Sequence, residues 1–258
     1  MEVKGLKIVG QGHMISGYSN LDLPEFYNSL KAEVAFVKKC KMRDEITIID
    51  AGANLGFYSM MFSLVENVNI LSFEPFPETY QYLEKNILVN KISNVTTIEM
   101  GLFSENKNMP IGSPDAFKFY GLLTKLFKFT DKEQAGCNSV FTSDNTAPTA
   151  KFVRGDDCSE IRALKHIDLI KIDVEGSELD VLRGLRDTIL EHHPVLNVEF
   201  SINALAAANL SPSDLWDFLI ELGYEKYSIC SGRSYLETWQ SMKRMPEITG
   251  SKDLLFTV

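Results

Sequence analysis

Hydrophobic and polar positions follow two rhythms along this chain. Short apolar runs at 46–50, 69–74, 95–100, 167–173 and 195–200 have the length and composition of buried strands. Between them, apolar residues recur at three- and four-residue spacing. A helix is predicted from Phe57, with Met60, Met61 and Leu64 on its buried side. A second starts at Pro77, a favoured first helical position, and carries Tyr80, Leu83, Ile87 and Leu88 inward. A third runs from Ser177 through Leu190 on Leu179, Leu182 and Leu185, with Pro194 just beyond its end. Ser211-Pro212-Ser213-Asp214 opens a fourth, Leu215 to Leu222, which Gly223 stops. Before the first strand, Phe26, Leu30, Val34 and Val37 form the apolar face of a helix from about Pro24 to Lys39. Asp22 and Glu25 are its predicted capping box. That helix is expected across the sheet edge or over the mouth of the site. Strands alternating with helices imply βαβ units, an α/β class and a mainly parallel sheet.

At 258 residues the chain fits one sizeable domain, and 45% hydrophobic content supplies its core. A net charge of −9 argues against nucleic acid as a main partner, because phosphate binding needs clustered cations. No run approaches the roughly 18 apolar residues of a membrane span. Met1-Glu2-Val3-Lys4-Gly5 lacks the layout of a signal peptide. Cys40, Cys137, Cys158 and Cys230 are scattered and read as reduced, mostly buried thiols. These features predict a cytoplasmic protein.

The candidate chemistry begins where the 46–50 strand ends. Asp50-Ala51-Gly52-Ala53-Asn54-Leu55-Gly56 places a carboxylate and a small-residue turn before a helix. Gly52 and Gly56 allow backbone geometry that a side chain would block, and the helix start is expected to present free N–H groups. Glu74 closes the next strand; an acid at that place usually grips ribose hydroxyls. An adenosine-containing ligand follows. A dinucleotide fingerprint needs glycine where this chain has Asn54 and Phe57. Asp50 would repel a pyrophosphate and suits a cationic ligand, such as the amino group of S-adenosylmethionine. A nicotinamide oxidoreductase is thereby disfavoured.

Asp50–Gly56, Phe73-Glu74-Pro75, Ile170-Lys171-Ile172-Asp173-Val174-Glu175-Gly176 and the late Glu199 together resemble the FkbM-type family of S-adenosylmethionine-dependent methyltransferases. The resemblance runs from about Ile46 to Phe200. It implies a Rossmann-like class I methyltransferase fold: a seven-stranded, mostly parallel sheet with helices on both faces. Tyr224 to Cys230 and Leu254 to Val258 would be its closing antiparallel pair. Residues 46–258 would form the methyltransferase domain and 1–45 an N-terminal helical cover. Residues 105–153 would be an insertion acting as a substrate lid. The cofactor set is Asp50, Gly52, Ala53, Asn54, Gly56 and Glu74. Gly101 and Leu102 are carried over to the adenine site, and Phe76 would stack there or enter the core.

Methyl transfer to a hydroxyl needs alignment and a proton acceptor. Ligands of open α/β sheets lie beyond the carboxyl ends of the strands. Asp173 and Glu175 follow one strand there, and Glu199 ends the next. Asp173 or Glu175 is the candidate base, and Glu199 a further catalytic acid. Lys171, two positions before Asp173, shares its face and would pair with it or touch a substrate oxygen. The opposing structural interpretation is an ion-pair knot in which Glu175 or Ser177 caps the next helix. No metal is assigned, since too few ligands accompany Asp173 and Glu199. The family methylates hydroxyls of sugars or polyketides, so a glycan or secondary-metabolite hydroxyl is the implied acceptor. An N- or protein methyltransferase, and a non-catalytic adenosine-binding scaffold, are the alternatives.

Several residues carry weaker expectations. His13 lies in a glycine-rich segment able to reach the site. His166 flanks a strand, His192 and His193 suit a helix end, and Asp156 and Asp157 suit caps. Phe119, Leu122, Leu123, Leu126 and Phe127, with Lys118, Lys125 and Lys128, form an amphipathic stretch at 117–128. It would pack on the core, cover the acceptor or contact a membrane surface. Asn138 and Ser139 would lie near substrate.

Overall fold

The computed structural model describes residues 2–3, 5–10, 23–111, 140, 148–229 and 239–258. His13, Asp22, the 117–128 stretch, Asn138, Ser139, Cys137 and Cys230 lie outside them. In chain order the strands are β1 (Glu2–Val3), β2 (Leu6–Lys7), β3 (Ile46–Ala51), β4 (Val68–Phe73), β5 (Val95–Ile98), β6 (Gly101–Phe103), β7 (Lys107–Pro110), β8 (Thr149–Arg154), β9 (Leu169–Ile172), β10 (Val195–Ser201), β11 (Lys226–Ile229), β12 (Gln240–Ser241) and β13 (Ser251–Thr257). The helices are α1 (Leu23–Lys41), α2 (Phe57–Ser63), α3 (Pro77–Val89), α4 (Ser159–Arg162), α5 (Glu178–Gly184), α6 (Arg186–His192), α7 (Ile202–Ala207) and α8 (Pro212–Glu221).

The central sheet has the order β12-β11-β13-β10-β9-β3-β4-β5. From β10 through β5 every pairing is parallel, and β13 runs antiparallel between β10 and β11. The sheet therefore has eight strands rather than seven, the extra one being the two-residue edge strand β12. This is a Rossmann-like architecture. Strand order reverses between β3 and β9, which puts a crevice above their carboxyl ends. Gly101 and Leu102 do not extend β5. They open a separate small sheet of order β6-β8-β7, whose strands β7 and β8 flank residues 111–148.

Helices cover both faces. Leu30, Val34 and Val37 of α1 pack with Phe57, Met60 and Met61 of α2 on Ile46, Ile48, Leu169, Val195 and Leu255. So α1 lies on a sheet face, not across the edge or the mouth as its sequence suggested, because this apolar stripe needs a face of strand side chains. The opposite face buries Ile49, Ile170, Ile172, Leu196 and Phe200 beneath Leu179, Leu182, Ile189, Leu205, Leu215 and Leu219.

Other differences from the sequence pattern have local causes. The helix expected from Ser177 to Leu190 is broken at Leu185 (φ −105°, ψ 13°) into α5 and α6. On α3 the buried side is Thr79, Leu83 and Asn86, while Leu88 is 77% exposed. Asn86 takes the inward position because its amide exchanges hydrogen bonds with Val9 N (2.6 Å) and Val9 O (3.0 Å) and donates to Leu55 O (2.8 Å). Asn90, one turn on, does the same with Lys7 N and Lys7 O, both at 2.7 Å. Cys158 is buried, but Cys40 is exposed on the outer side of α1.

Candidate active site

Strand alternation turns the α1–α2 face of the sheet from apolar to polar along its length. Residues 46, 48, 169, 195 and 255 are apolar core. Two residues on from 48 and 169 stand Asp50 and Lys171. Backbone register aligns Ser72, Asp50, Lys171 and Asn197 as one row across four parallel strands, all buried. A second row lies two residues further toward the carboxyl ends: Glu74, Gly52, Asp173 and Glu199, with Asp253 paired to Glu199. The lower row is closed off from water, and the upper row forms the rim of the crevice.

In the lower row, Asp50 is 0% exposed. Its Oδ2 accepts from Ser59 Oγ on α2 at 2.5 Å, and Ser59 shares a 2.7 Å hydrogen bond with Ser72. Asp50 Oδ1 takes no hydrogen bond from any described residue. Burial raises the Asp50 carboxyl, while Lys171 and Ser59 oppose the rise. Asp50 therefore faces inward, beneath α2. The sequence suggested an acid suited to a cationic ligand; the alternation that makes residues 46 and 48 core carries residue 50 under the helix.

Lys171 is the cation of this layer. Its Nζ donates to Asp173 Oδ2 at 2.9 Å and sits 4.0 Å from the centroid of the Tyr58 ring. Burial acts to lower the ammonium, but Asp173, Asp50 and Asp253 outweigh it and hold it above an ordinary lysine. Lys171 is 1% exposed, so it pairs with Asp173 and does not reach into the crevice. From α1, Glu33 accepts from Asn197 Nδ2 at 3.1 Å, and burial pushes its carboxyl up to about 8.

The loop after β3 is held from within. Gly52 N and Ala53 N both donate to Phe73 O, at 3.0 and 2.9 Å, and Gly56 N donates to Ala53 O at 2.8 Å. Asn54, in the left-handed region at φ 52°, donates its N–H to Glu74 Oε2 at 2.8 Å, and its Oδ1 accepts from Leu55 N at 2.8 Å. The N–H groups from Gly52 to Gly56 are thus engaged within the loop and with Glu74. Glu74 is 6% exposed, and its Oε1 accepts from Phe76 N at 2.8 Å. Burial drives its carboxyl up to about 7 against those two backbone donors. Each carboxyl oxygen keeps one lone pair for an incoming hydroxyl. Phe76 itself packs toward Phe103 and Phe152 of the small sheet, and Leu102 is core. Gly101 lies under the Phe152 ring, where a Cβ would come within 2.2 Å of Cε1.

After β9 the chain turns sharply. Asp173 N donates to Ala51 O, Glu175 adopts φ 54°, and Gly176 φ 103°. Glu178, buried at the start of α5, accepts from Val174 N (3.2 Å) and Gly176 N (3.1 Å), and burial raises it to about 7. Glu178 therefore holds this turn; the Ser177 side chain makes no cap. The Asp173 side chain is 30% exposed and faces the crevice rim. Glu199 Oε1 accepts from Ser251 Oγ at 2.5 Å, and its buried Oε2 takes no hydrogen bond from a described residue. Burial, then Asp173 and Glu175, raise Glu199 well above the ordinary range.

The turn and the loop touch. A Cβ on Gly52 would fall 1.9 Å from the Asp173 carbonyl oxygen. The nucleotide-type loop and the acid that follows β9 are thus one surface. Residues 50–226 match the Methyltransferase FkbM domain.

The chain belongs to the FkbM methyltransferase family.

Among its relatives, Methyltransferase 1 of Beauveria bassiana is 30% identical, over 59% of this chain and 65% of its own length. The hexuronic acid methyltransferase AglP of Haloferax volcanii is 26% identical, over 67% of this chain and 60% of its own length. The chain thus spans about three fifths of each of these relatives. The solved structure of a methyltransferase FkbM from Methylobacillus flagellatus is similar at 18% identity and a TM-score of 0.49, over 82% of this chain and 43% of that one.

The remaining sequence candidates fall elsewhere. His166 Nδ1 meets Asp168 Oδ2 at 2.6 Å at the amino end of β9, remote from the crevice. His193 ends α6 with φ 46°. Asp156 accepts from Thr188 N at 2.9 Å, at the start of α6, and pairs with Arg154 at 2.8 Å. Sequence reasoning missed Tyr58, Ser59, Glu33, Asn197 and Asp253. The signals were present but weak: Asp253 is the third residue of β13, which begins at Ser251, three residues before the Leu254 that the pattern suggested. Asn197 is a polar break in Val195–Phe200. Among the described residues no helix is long and apolar enough to cross a membrane.

Proposed function

We propose that this chain is an S-adenosylmethionine-dependent O-methyltransferase acting on a hydroxyl of a sugar, glycan or polyketide-like metabolite. The contact between Gly52 and the Asp173 carbonyl carries this reading, because it sets a nucleoside-type loop beside a solvent-reached acid. Family membership supports the transfer of a methyl group. The hexuronic acid relative supports a sugar acceptor.

Glu74 would hold the ribose through the two lone pairs its backbone contacts leave over. Gly52 to Gly56 and the acid rim would receive the methionine end. Asp50 lies beneath this loop, against the Ser59 hydroxyl and within the field of the Lys171 ammonium. When bound, the cofactor supplies a methyl group on positively charged sulfur. Asp173 would orient the acceptor hydroxyl and take its proton; the methyl carbon–sulfur bond would break as the acceptor oxygen receives the methyl, with S-adenosylhomocysteine as the leaving group. Glu175 and Glu199 line the same rim. Residues 105–153 would form the acceptor side, whereas α1, within residues 1–45, covers a sheet face.

Calorimetry with S-adenosylhomocysteine, followed by transfer of radiolabelled methyl from S-adenosylmethionine to methyl glucuronoside and simple polyol acceptors, tests this. Asp173→Asn is expected to cut turnover about 100-fold while sparing cofactor affinity. Absence of S-adenosylhomocysteine binding by the wild type overturns the cofactor assignment. A fully active Asp173→Asn protein points to an amine acceptor.

A further inference from the structure

We infer that Tyr58 is a positioning residue for the methyl transfer: its ring fixes the Lys171 ammonium, and Lys171 in turn fixes the Asp173 carboxylate. This rests on the proposed role of Asp173.

Two contacts define the chain of action. The ring centroid lies 4.0 Å from Lys171 Nζ, and Nζ lies 2.9 Å from Asp173 Oδ2. A lysine side chain has four rotatable bonds, so a buried ammonium needs more than one carboxylate to stay in one place. Asp50 pulls on Lys171 from β3, Asp253 from β13 and Asp173 from the turn after β9. These carboxylates lie in different directions along the sheet, and their attractions alone leave the ammonium able to shift among them. The ring closes the remaining side. Its negative face attracts the cation, and desolvation strengthens that attraction.

The ring is itself immobilised. It packs edge-on against Phe26 of α1 with centroids 5.1 Å apart, and its hydroxyl donates to Asp253 Oδ2 at 3.4 Å. Tyr58 thereby ties α1, α2, β9 and β13 to one ammonium. With Lys171 held, Oδ2 of Asp173 is held, and the other oxygen is the one directed to an acceptor. Without the ring, Lys171 can follow Asp50 or Asp253, and Asp173 loses its fixed orientation.

Tyr58→Phe keeps the ring and loses only the hydroxyl; Tyr58→Leu removes the ring. Tyr58→Leu is expected to fall about tenfold below Tyr58→Phe in kcat. The KM for S-adenosylmethionine and the affinity for S-adenosylhomocysteine should stay within threefold in both. Equal kcat for the two variants, or a deficit confined to KM, overturns the inference. Should Tyr58→Leu not fold, the wild type decides by NMR. Ring current is expected to move the Lys171 ε-protons well upfield of ordinary lysines, and ordinary shifts overturn the inference. Absence of any methyl transfer by a wild type that binds S-adenosylhomocysteine is a separate failure, that of the proposed reaction, and removes this role with it.

Discussion

Gly52 and Gly56 have nearly the same backbone angle, φ +84° and +83°, but different surroundings. At Gly52 a Cβ would strike the Asp173 backbone at 1.9 Å; at Gly56 it would meet the end of the Leu83 side chain at 2.5 Å. Backbone cannot yield as a leucine methyl can. Gly52→Ala is expected to cost at least about 2 kcal/mol and to abolish S-adenosylhomocysteine binding. Gly56→Ala should cost roughly 1 kcal/mol and bind weakly. Thermal melting and calorimetry rank the two, and the reverse order would contradict the contact. Glu74 adds a pH dependence. Its carboxyl sits at about 7 through burial, and ribose hydroxyls favour its ionised form. Above pH 7 no proton need leave. Below it one must, so affinity should fall by up to about tenfold per pH unit. Glu74→Gln should give a flat, weak profile. At this scale the sequence was legible where residues are close along the chain, as in the Lys171–Asp173 pair two positions apart. It was not legible for Glu33, Tyr58 and Asp253. Their places come from register between strands far apart in sequence and from helices laid across them.

Helix periodicity located every long helix but not always its inward side. On α3 the apolar count favoured Leu88, whereas the buried position belongs to Asn86, whose partners Val9 and Leu55 lie 77 and 31 residues away. Nothing near Asn86 in the sequence announces that its amide mates with an extended segment. Asn86→Ala removes hydrogen bonds to Val9 N, Val9 O and Leu55 O. Amide exchange at Val9 should accelerate while β3 and β9 stay protected, and equal protection at Val9 in both proteins would rule out the clasp. The break between α5 and α6 was likewise hidden, since Leu179, Leu182 and Leu185 keep helical spacing across it. Asp156 makes the break stable by accepting Asp187 N and Thr188 N at the new helix start. Asp156→Ala should lower stability by about 1–2 kcal/mol in a denaturant titration.

Among the described residues, more carboxyls than cations are buried. Glu33 is held at about 8 by burial, and Glu74 and Glu178 at about 7. In the unfolded chain these groups release their protons near 4.5, the ordinary value for glutamate. Between 4.5 and about 8 the native state therefore keeps a proton that the unfolded state has lost, and stability falls as pH rises. Each unit of separation is worth roughly 1.4 kcal/mol per group as an upper bound. Glu33→Gln mimics the neutral acid. Its gain in melting temperature should be small at pH 5 and several degrees at pH 8.5. Equal gains at both would mean that Glu33 titrates normally. At this scale the α/β class and the closing antiparallel strands were legible from alternation and from the resemblance. The separate small sheet was not, because β6 follows β5 after only two residues and reads as its continuation.

That small sheet is mechanically joined to the acid of the crevice. Gly184, at the far end of α5, approaches β6 so closely that a Cβ there would lie 1.8 Å from Phe103 O. Glu178, at the near end, grips the Val174 and Gly176 amides. Seven residues of helix make a stiff rod about 10 Å long between these two fastenings. The small sheet and the turn that carries Asp173 are thus fastened to opposite ends of one short helix.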